Sequence, residues 1–247
     1  MILTIAHKEF RSLFAIPSTW LILGVLQFIF AWFFLARLDA FLQVQAQLAQ
    51  LVNAPGATLA VAAPLFGTIA LILMMLIPVF TMRLIAEERR NQTIALLMSA
   101  PVSDMHIVVG KFVGLMLFLL LVIAGCVLMT FTLAAGTQPD TGLLLTNALG
   151  LILLAASYVA LGLYISALTA QPVVAAVGTL AAFFGLWLVE VSAVDHDNSW
   201  RALAPTSHFQ SFNVGLLNSA DLIFFLLFCC TFLLLTIRRL HNNRLYG

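Results

Sequence analysis

The chain has 247 residues, of which 63% are hydrophobic and 9% are charged, and its formal net charge is +1 at pH 7. Soluble domains are about 45–50% apolar and about 25% charged, so this composition excludes a water-soluble globule. The near-zero net charge also gives no indication of a nucleic-acid partner. We therefore predict an all-α membrane protein in which residues 1–247 form a single transmembrane domain.

The first 14 residues predict an amphipathic helix. Ile2, Ile5 and Phe10 recur at helical spacing, with Lys8 and Arg11 among the polar residues between them. A helix of this type lies in the membrane interface. The apolar run that follows is longer than the roughly 7–15-residue core of a signal peptide and has no small-residue cleavage site, so we expect a retained first span.

Six apolar runs predict six transmembrane helices, since a span needs about 20 apolar residues. They lie at residues 20–36, 60–82, 112–135, 143–168, 173–194 and 222–237. Pro64 and Pro78 in the second run predict a bent helix. Small residues in the fourth and fifth runs, such as Gly162 and Gly185, predict close helix packing.

The distribution of basic residues predicts the orientation. With six spans both termini lie on one side, and nine of the eleven Lys and Arg residues share that side. The cytoplasmic side carries the excess of basic residues, so both termini and the 83–111 connection are predicted to be cytosolic. The nine residues are Lys8, Arg11, Arg83, Arg89, Arg90, Lys111, Arg238, Arg239 and Arg244, and the other two are Arg37 and Arg201.

Motifs for catalysis are absent from the sequence. The Gly110–Lys111 pair is followed by Phe112 rather than by Ser or Thr, so it is not a phosphate-binding loop. The hydroxyl residues in the spans have no histidine or paired acid at the same depth, which argues against an intramembrane hydrolase. We predict that the chain is not an enzyme and holds no cofactor or metal of its own.

Two polar features of the outer side have alternative interpretations. His196 with Asp195 and Asp197, and His208 further along, are metal-ligand types, but their spacing is nonspecific and a solvated loop is favoured. Glu190, near the end of the fifth run, is interpreted as an interfacial carboxylate in preference to the lining of a conduit.

The 83–111 connection is the most informative segment. Its first residues continue the helical register of the second span into water, with Arg83 and Glu87 four residues apart as a side-chain pair. An amphipathic stretch over 93–98 ends before Pro101, and Ser103 is a plausible N-cap of the next helix. The apolar residues of this stretch either contact a partner protein or rest on lipid headgroups.

Two segments of the sequence resemble ABC-2 type permeases. The first comprises 82–97 (MRLIAEERRNQTIALL), 99–103 (SAPVS) and 110–112 (GKF), and is similar to the cytosolic signature of that family. The second, 203–212 (LAPTSHFQSF) with Gly215, is similar to the outer loop of the gliding-motility-associated branch. Two positions depart from the pattern, since the family usually has a glycine near Gln92 and an acid near Gln210.

The resemblance implies a six-span half-transporter whose 83–111 connection contains a coupling helix. This helix would dock on a separate ABC ATPase subunit, which would hold ATP and Mg²⁺. The other implied partners are a second copy of the permease or a related chain, membrane lipid and a periplasmic accessory protein. The implied contact residues are Glu87, Glu88, Arg89 and Thr93 as its polar part, Leu96 and Leu97 as its apolar wedge, and Pro101 as its stop.

The resemblance also implies a gate on the outer side, where the segment 195–220 would dip back toward the membrane as short helices. The residues assigned to this outer-loop gate are Trp200, Pro205, His208, Phe209 and Phe212. The function we expect is that of the membrane subunit of an ATP-driven exporter in the bacterial inner membrane. The alternatives are a secondary transporter or channel, which would need charged groups at the midplane, and a membrane anchor that transports nothing.

Overall fold

The computed structural model describes residues 1–48, 56–92, 103–135, 140–192 and 202–246. Within these ranges the chain is helical and contains no β-strand, which confirms the all-α prediction. The principal helices are α1 Ile2–Ala15, α2 Pro17–Leu48, α3 Ala57–Met82, α4 Asp104–Phe131, α5 Thr141–Leu168, α6 Pro172–Ser192, α7 Pro205–Asn213 and α8 Ser219–Tyr246.

Six helical stretches are long and apolar enough to cross a membrane, as the sequence predicts. They are Pro17–Gln45, Thr58–Arg90, Asp104–Ala134, Thr141–Leu168, Pro172–Val191 and Ser219–Asn242. The last of these is longer than the apolar run at 222–237 because the helix continues through Arg238 and Arg239. Helical hydrogen bonds do not require apolar side chains, so apolar length gives only a lower bound on helix length.

Contacts between helix termini define two ends of the bundle. At the first, which we call the terminal end, Lys111 contacts both Glu9 and Glu88, and His241 lies 3.2 Å from Asp104. At the other, the opposite end, the backbone nitrogen of Asp140 donates to Thr58 Oγ1. The N-terminal helix α1 and the last turns of α8 therefore lie at the same end, as a bundle of six spans requires.

Helix α5 lies at the centre of the bundle, in contact with α3, α4, α6, α7 and α8. Small residues permit these close contacts. A Cβ atom at Gly162 would lie 2.5 Å from Thr81 Oγ1, and one at Gly150 would lie 2.5 Å from the Cβ of Phe212. The prediction of close packing holds at Gly162, whereas Gly185 of α6 has nothing within 4 Å of its Cβ position.

Helix α3 continues beyond Met82 in a changed helical form. Pro64 and Pro78 lie inside α3, which passes into a π-helical turn, Arg83–Glu87, and then an α-helical turn, Glu88–Arg90. The predicted continuation of the second span is therefore correct. The predicted pairing of Arg83 with Glu87 is wrong, because the wider π turn changes the angular spacing and the structure has no ion pair between them.

The extension ends in a turn whose last described residue is strained. Asn91 and Gln92 donate backbone hydrogen bonds to Glu87 and Arg89, and Gln92 has φ of +57°. This left-handed conformation is the one that glycine adopts at helix C-termini. It accounts physically for the glycine that the family usually has near this position.

Candidate functional site: a charged joint and an opposite-end cavity

Lys111 is the centre of the terminal end. Its Nζ lies 3.0 Å from Glu9 Oε1 and 2.7 Å from Glu88 Oε1, and its side chain is 2% exposed. The three residues come from α4, α1 and the extension of α3, and we call them the charged joint. A buried ammonium group is tolerated only when it is paired, so this single side chain ties three helices together.

Two glycines bring α1 close enough for the charged joint to form. A Cβ at Gly110 would lie 2.8 Å from the side chain of Ile5, and one at Gly114 would lie 2.8 Å from the Cβ of Glu9 and 3.0 Å from the carbonyl oxygen of Ala6. Both glycines are on the face of α4 next to Lys111. The amphipathic helix predicted for residues 1–14 is present, and it packs on α4 through this face.

The π turn is held by a side chain of α5. Ser166 Oγ accepts hydrogen bonds from the backbone nitrogens of Ile85 at 3.3 Å and Ala86 at 3.0 Å, and donates to the carbonyl oxygen of Met82 at 3.4 Å. All these residues except Met82 are buried. Ser166 therefore satisfies backbone groups that the irregular helix exposes, and it fixes the start of the extension against α5.

The predicted ATPase-contact residues divide into two groups. Glu87, Glu88 and Arg89 lie in the extension of α3 and are half-buried. The predicted solvent exposure of Glu88 is wrong, because it pairs with Lys111. Arg89 lies within the electrostatic influence of Arg239, and its buried Nη2 has no hydrogen-bond partner among the described residues. The other four residues, Thr93, Leu96, Leu97 and Pro101, lie outside the described residues.

The start of α4 lies beside the end of α8. Ser103 is the N-cap residue, as predicted, but its hydroxyl contacts His106 Nδ1 rather than a backbone nitrogen of the first turn. Asp104 is buried and contacts His241. Both sides of the 93–102 connection are thus attached to the bundle, at the extension of α3 and at the first turn of α4.

At the opposite end, the predicted gate residues form helix α7 and pack inward. Pro205, Phe209 and Phe212 are buried, and Gly150 of α5 allows the close approach of Phe212. Asn147 of α5 donates to the carbonyl oxygen of Asn213 at 3.3 Å, which attaches the end of α7. The fifth predicted gate residue, Trp200, lies outside the described residues, as do Asp195, His196 and Asp197.

His208 connects α7 to its neighbours. Its Nδ1 lies 2.5 Å from Asp221 Oδ1 and its Nε2 lies 2.9 Å from the carbonyl oxygen of Ala202. The ring stacks on Phe224 with a centroid distance of 4.0 Å. Two acceptors on one imidazole are both satisfied only when both ring nitrogens carry hydrogen.

A cavity of about 430 Å³ opens beside α7. Its polar lining includes Arg37 of α2, Glu190 of α6, and Thr206 and Gln210 of α7. The hydroxyl of Thr206 donates a hydrogen bond to Glu190 Oε2. The apolar lining includes Pro64, Ala70, Leu71, Trp187, Val191 and Phe209. Glu190, which the sequence predicts as an interfacial carboxylate in preference to the lining of a conduit, is part of this cavity wall.

A family model described as "ABC-2 family transporter protein" matches residues 3–243, nearly the whole chain. The chain belongs to the ABC-2 transporter family. It is a membrane protein with six apolar spanning helices, and its family membership supports the role of a transporter permease. No curated protein matches the sequence.

Sequence reasoning missed three residues of this ABC-2 permease. From the sequence, Lys111 is predicted only as a cytosolic charge in a pair that is not a phosphate-binding loop, and no role is predicted for Glu9 or Ser166. A signal for Lys111 was present, since it is a lysine at the very start of an apolar run and adjacent to a glycine. Its two carboxylate partners are 102 and 23 residues away, so no local pattern links them.

Proposed function

We propose that this permease is the membrane-spanning subunit of an ATP-driven exporter in the bacterial cytoplasmic membrane. It would bind a separate ABC ATPase, which would hold ATP and Mg²⁺, and would pair with a second copy or with a related permease. Membership of the ABC-2 family and the six apolar helices support this proposal. The concentration of basic residues at the terminal end supports cytosolic termini.

The observation that carries the proposal is the charged joint. Residues 93–102 connect the extension of α3 to the start of α4, and Lys111 joins these same two elements to α1. An ATPase bound to this connection would therefore act on three helices at once. The extension is also attached to α5 through Ser166, so displacement would reach the centre of the bundle.

The ATPase contact itself remains the one inferred from the family resemblance. Glu87 and Arg89 are its candidate polar residues, and the buried, unpartnered Nη2 of Arg89 is consistent with a hydrogen-bond acceptor supplied from outside the described residues. Thr93, Leu96, Leu97 and Pro101 complete the proposed contact. Glu88 acts within the chain, through Lys111.

The gate proposal applies to the opposite end. Helix α7, with Pro205, His208, Phe209 and Phe212, would close the exit, together with Trp200. Hydrogen bonds attach it to α5, α6 and α8, so its position depends on those three helices. The similarity of 203–212 to the gliding-motility-associated branch supports placing the chain in that branch.

Co-purification tests the proposal. The permease would be expressed with a candidate ABC ATPase, and the ratio of the two proteins measured after affinity purification. We expect Leu96→Asp or Leu97→Asp to release the ATPase, because a charge in an apolar contact is poorly tolerated. Leu203→Asp is the control, since Leu203 is exposed at the opposite end. Full retention of the ATPase by both variants would contradict the proposed contact.

Turnover provides the second measurement. Reconstituted complexes with Glu87→Gln or Arg89→Gln should insert normally and hydrolyse ATP more slowly, since these residues are assigned to the contact with the ATPase. If both variants hydrolysed ATP at the same rate as the parent complex, Glu87 and Arg89 would be excluded from the contact with the ATPase. Cargo movement by the permease without any ATPase would favour the alternative of a secondary transporter or channel.

A further inference from the structure

The cavity beside α7 contains two opposite charges that do not pair with each other. Arg37 is exposed and has no hydrogen bond or ion pair among the described residues. Glu190 is half-buried, and its described partner is the hydroxyl of Thr206. The ion pairs of the described residues lie elsewhere, so one cation and one anion line the same cavity with space between them.

The cavity also extends well below the helix ends. Its lining on α3 runs from Pro64 to Leu71, which is about 10 Å along a helix at about 1.5 Å per residue. Leu71 lies about 20 Å along α3 from its first residue, well inside an apolar span. Glu190 lies at the opposite-end terminus of its span and Arg37 lies about 12 Å from the end of its own, while Ala70 and Leu71 line the deeper part.

The deeper part is accessible from the surrounding membrane. Leu71 is 48% exposed although it lines the cavity. A ligand could therefore keep its head between the two charges while an apolar chain passes out along α3. The volume of about 430 Å³ lies within the range of small-molecule sites, so it suits a head group and the first part of one chain.

From this arrangement we propose that the cavity binds a zwitterionic amphiphile, and that this is the substrate class of the permease. The anionic group, a phosphate or carboxylate, pairs with Arg37, because guanidinium groups match such anions in geometry and charge. The ammonium group pairs with Glu190. Gln210 is uncharged, so it adds no second carboxylate to the cavity wall that would repel the anionic group. The claim that this ligand is the substrate rests on the proposed function, whereas the claim that the cavity binds it does not.

The first test is binding without nucleotide or ATPase. Purified permease in nanodiscs would be titrated with four probes, namely lysophosphatidylethanolamine, lysophosphatidylcholine, lysophosphatidylglycerol and glycerophosphoethanolamine. We expect the first to bind best, the second more weakly because it has no N–H donor for Glu190, and the last two at least about tenfold more weakly. Equal affinity for lysophosphatidylglycerol would overturn the zwitterion assignment, and strong binding of glycerophosphoethanolamine would overturn the need for an apolar chain.

Charge variants test the two proposed contacts. Arg37→Gln and Glu190→Gln should each weaken lysophosphatidylethanolamine binding about tenfold. Arg83→Gln and Asp39→Asn are matched controls, since both remove an exposed charge outside the cavity. Gln210→Glu should weaken binding by repelling the anion. Unchanged affinity in the Arg37 and Glu190 variants would overturn the site, provided that their thermal midpoints match that of the parent.

The outcome separates this inference from the proposed function. If the parent permease binds no probe but retains its ATPase and loses it in the Leu96→Asp variant, only the ligand class is wrong. If the permease binds lysophosphatidylethanolamine but never associates with an ATPase, the site stands and the proposed function fails.

Discussion

The hydroxyl oxygen of Ser166 lies 3.0 Å from the backbone nitrogen of Ala86, which joins the centre of the bundle to the π turn of α3. The same oxygen accepts from Ile85. A π turn exposes backbone groups that a regular α-helix would satisfy, and such turns occur often at functional positions. The hydroxyl therefore stabilises the irregular turn from which the extension of α3 begins.

Replacing Ser166 with alanine should destabilise this turn. Two buried backbone nitrogens would lose an acceptor, at a cost of about 1–3 kcal/mol. The thermal midpoint of the purified variant in detergent should therefore fall. Ser157→Ala is the matched control, since Ser157 is also in α5 and fully buried, but its hydroxyl contacts the carbonyl oxygen of Leu153 and the sulfur of Cys229 rather than a backbone nitrogen. Equal losses in both variants would show that Ser166 has no special role.

Removing the cation of the charged joint should have a larger effect. Lys111→Met keeps the length and apolar stem of the side chain but removes the buried ammonium group that contacts Glu9 and Glu88, and the exposed Lys8 lies farther from Glu9, at 3.9 Å. The loss of one partner from a buried ion pair costs about 3–5 kcal/mol. The triple variant Glu9→Gln, Glu88→Gln and Lys111→Met should recover most of this loss in a thermal unfolding measurement. A triple variant as unstable as Lys111→Met would show that packing, not charge, holds the joint.

The close contact between α1 and α4 predicts the effect of a single methyl group. In Gly114→Ala the new Cβ would meet the Cβ of Glu9 and the backbone of Ala6, and backbone atoms cannot move aside. Overpacking of this kind costs about 1–3 kcal/mol, so α1 should detach more readily. Faster tryptic cleavage after Lys8 and Arg11 is the measurement. Gly185→Ala is the control, since its Cβ position is open, and cleavage at the same rate in both would contradict the prediction.

The fold could be predicted further than the site. Apolar length fixes the six spans, because an unsatisfied backbone is intolerable in lipid and each run must be helical. The amphipathic α1 and the continuation of α3 also follow from residue spacing. The π turn does not, because it depends on Ser166, which is 80 residues from Ala86 and offers its oxygen only after α5 has packed against α3.

The site was predicted by similarity more than by physics. Glu87, Glu88 and Arg89 were assigned as exposed contact residues, but the partner of Glu88 is a lysine at the start of another helix. Arg37 and Glu190 were each interpreted alone, as a topological charge and an interfacial acid. Only the packing of α2, α3, α6 and α7 brings Arg37 and Glu190 to the same cavity, and no periodicity or spacing in the sequence predicts that they line it together.

The strained turn at the end of the extension predicts a stabilising substitution. Gln92 has φ of +57°, which disfavours residues with a Cβ by about 1–2 kcal/mol, whereas glycine adopts it freely. Glycine also gains freedom in the unfolded chain, so Gln92→Gly should stabilise by up to about 1 kcal/mol. Asn91→Gly is the control, because Asn91 has φ of −83° and should only lose stability. A lower thermal midpoint for Gln92→Gly would contradict the prediction.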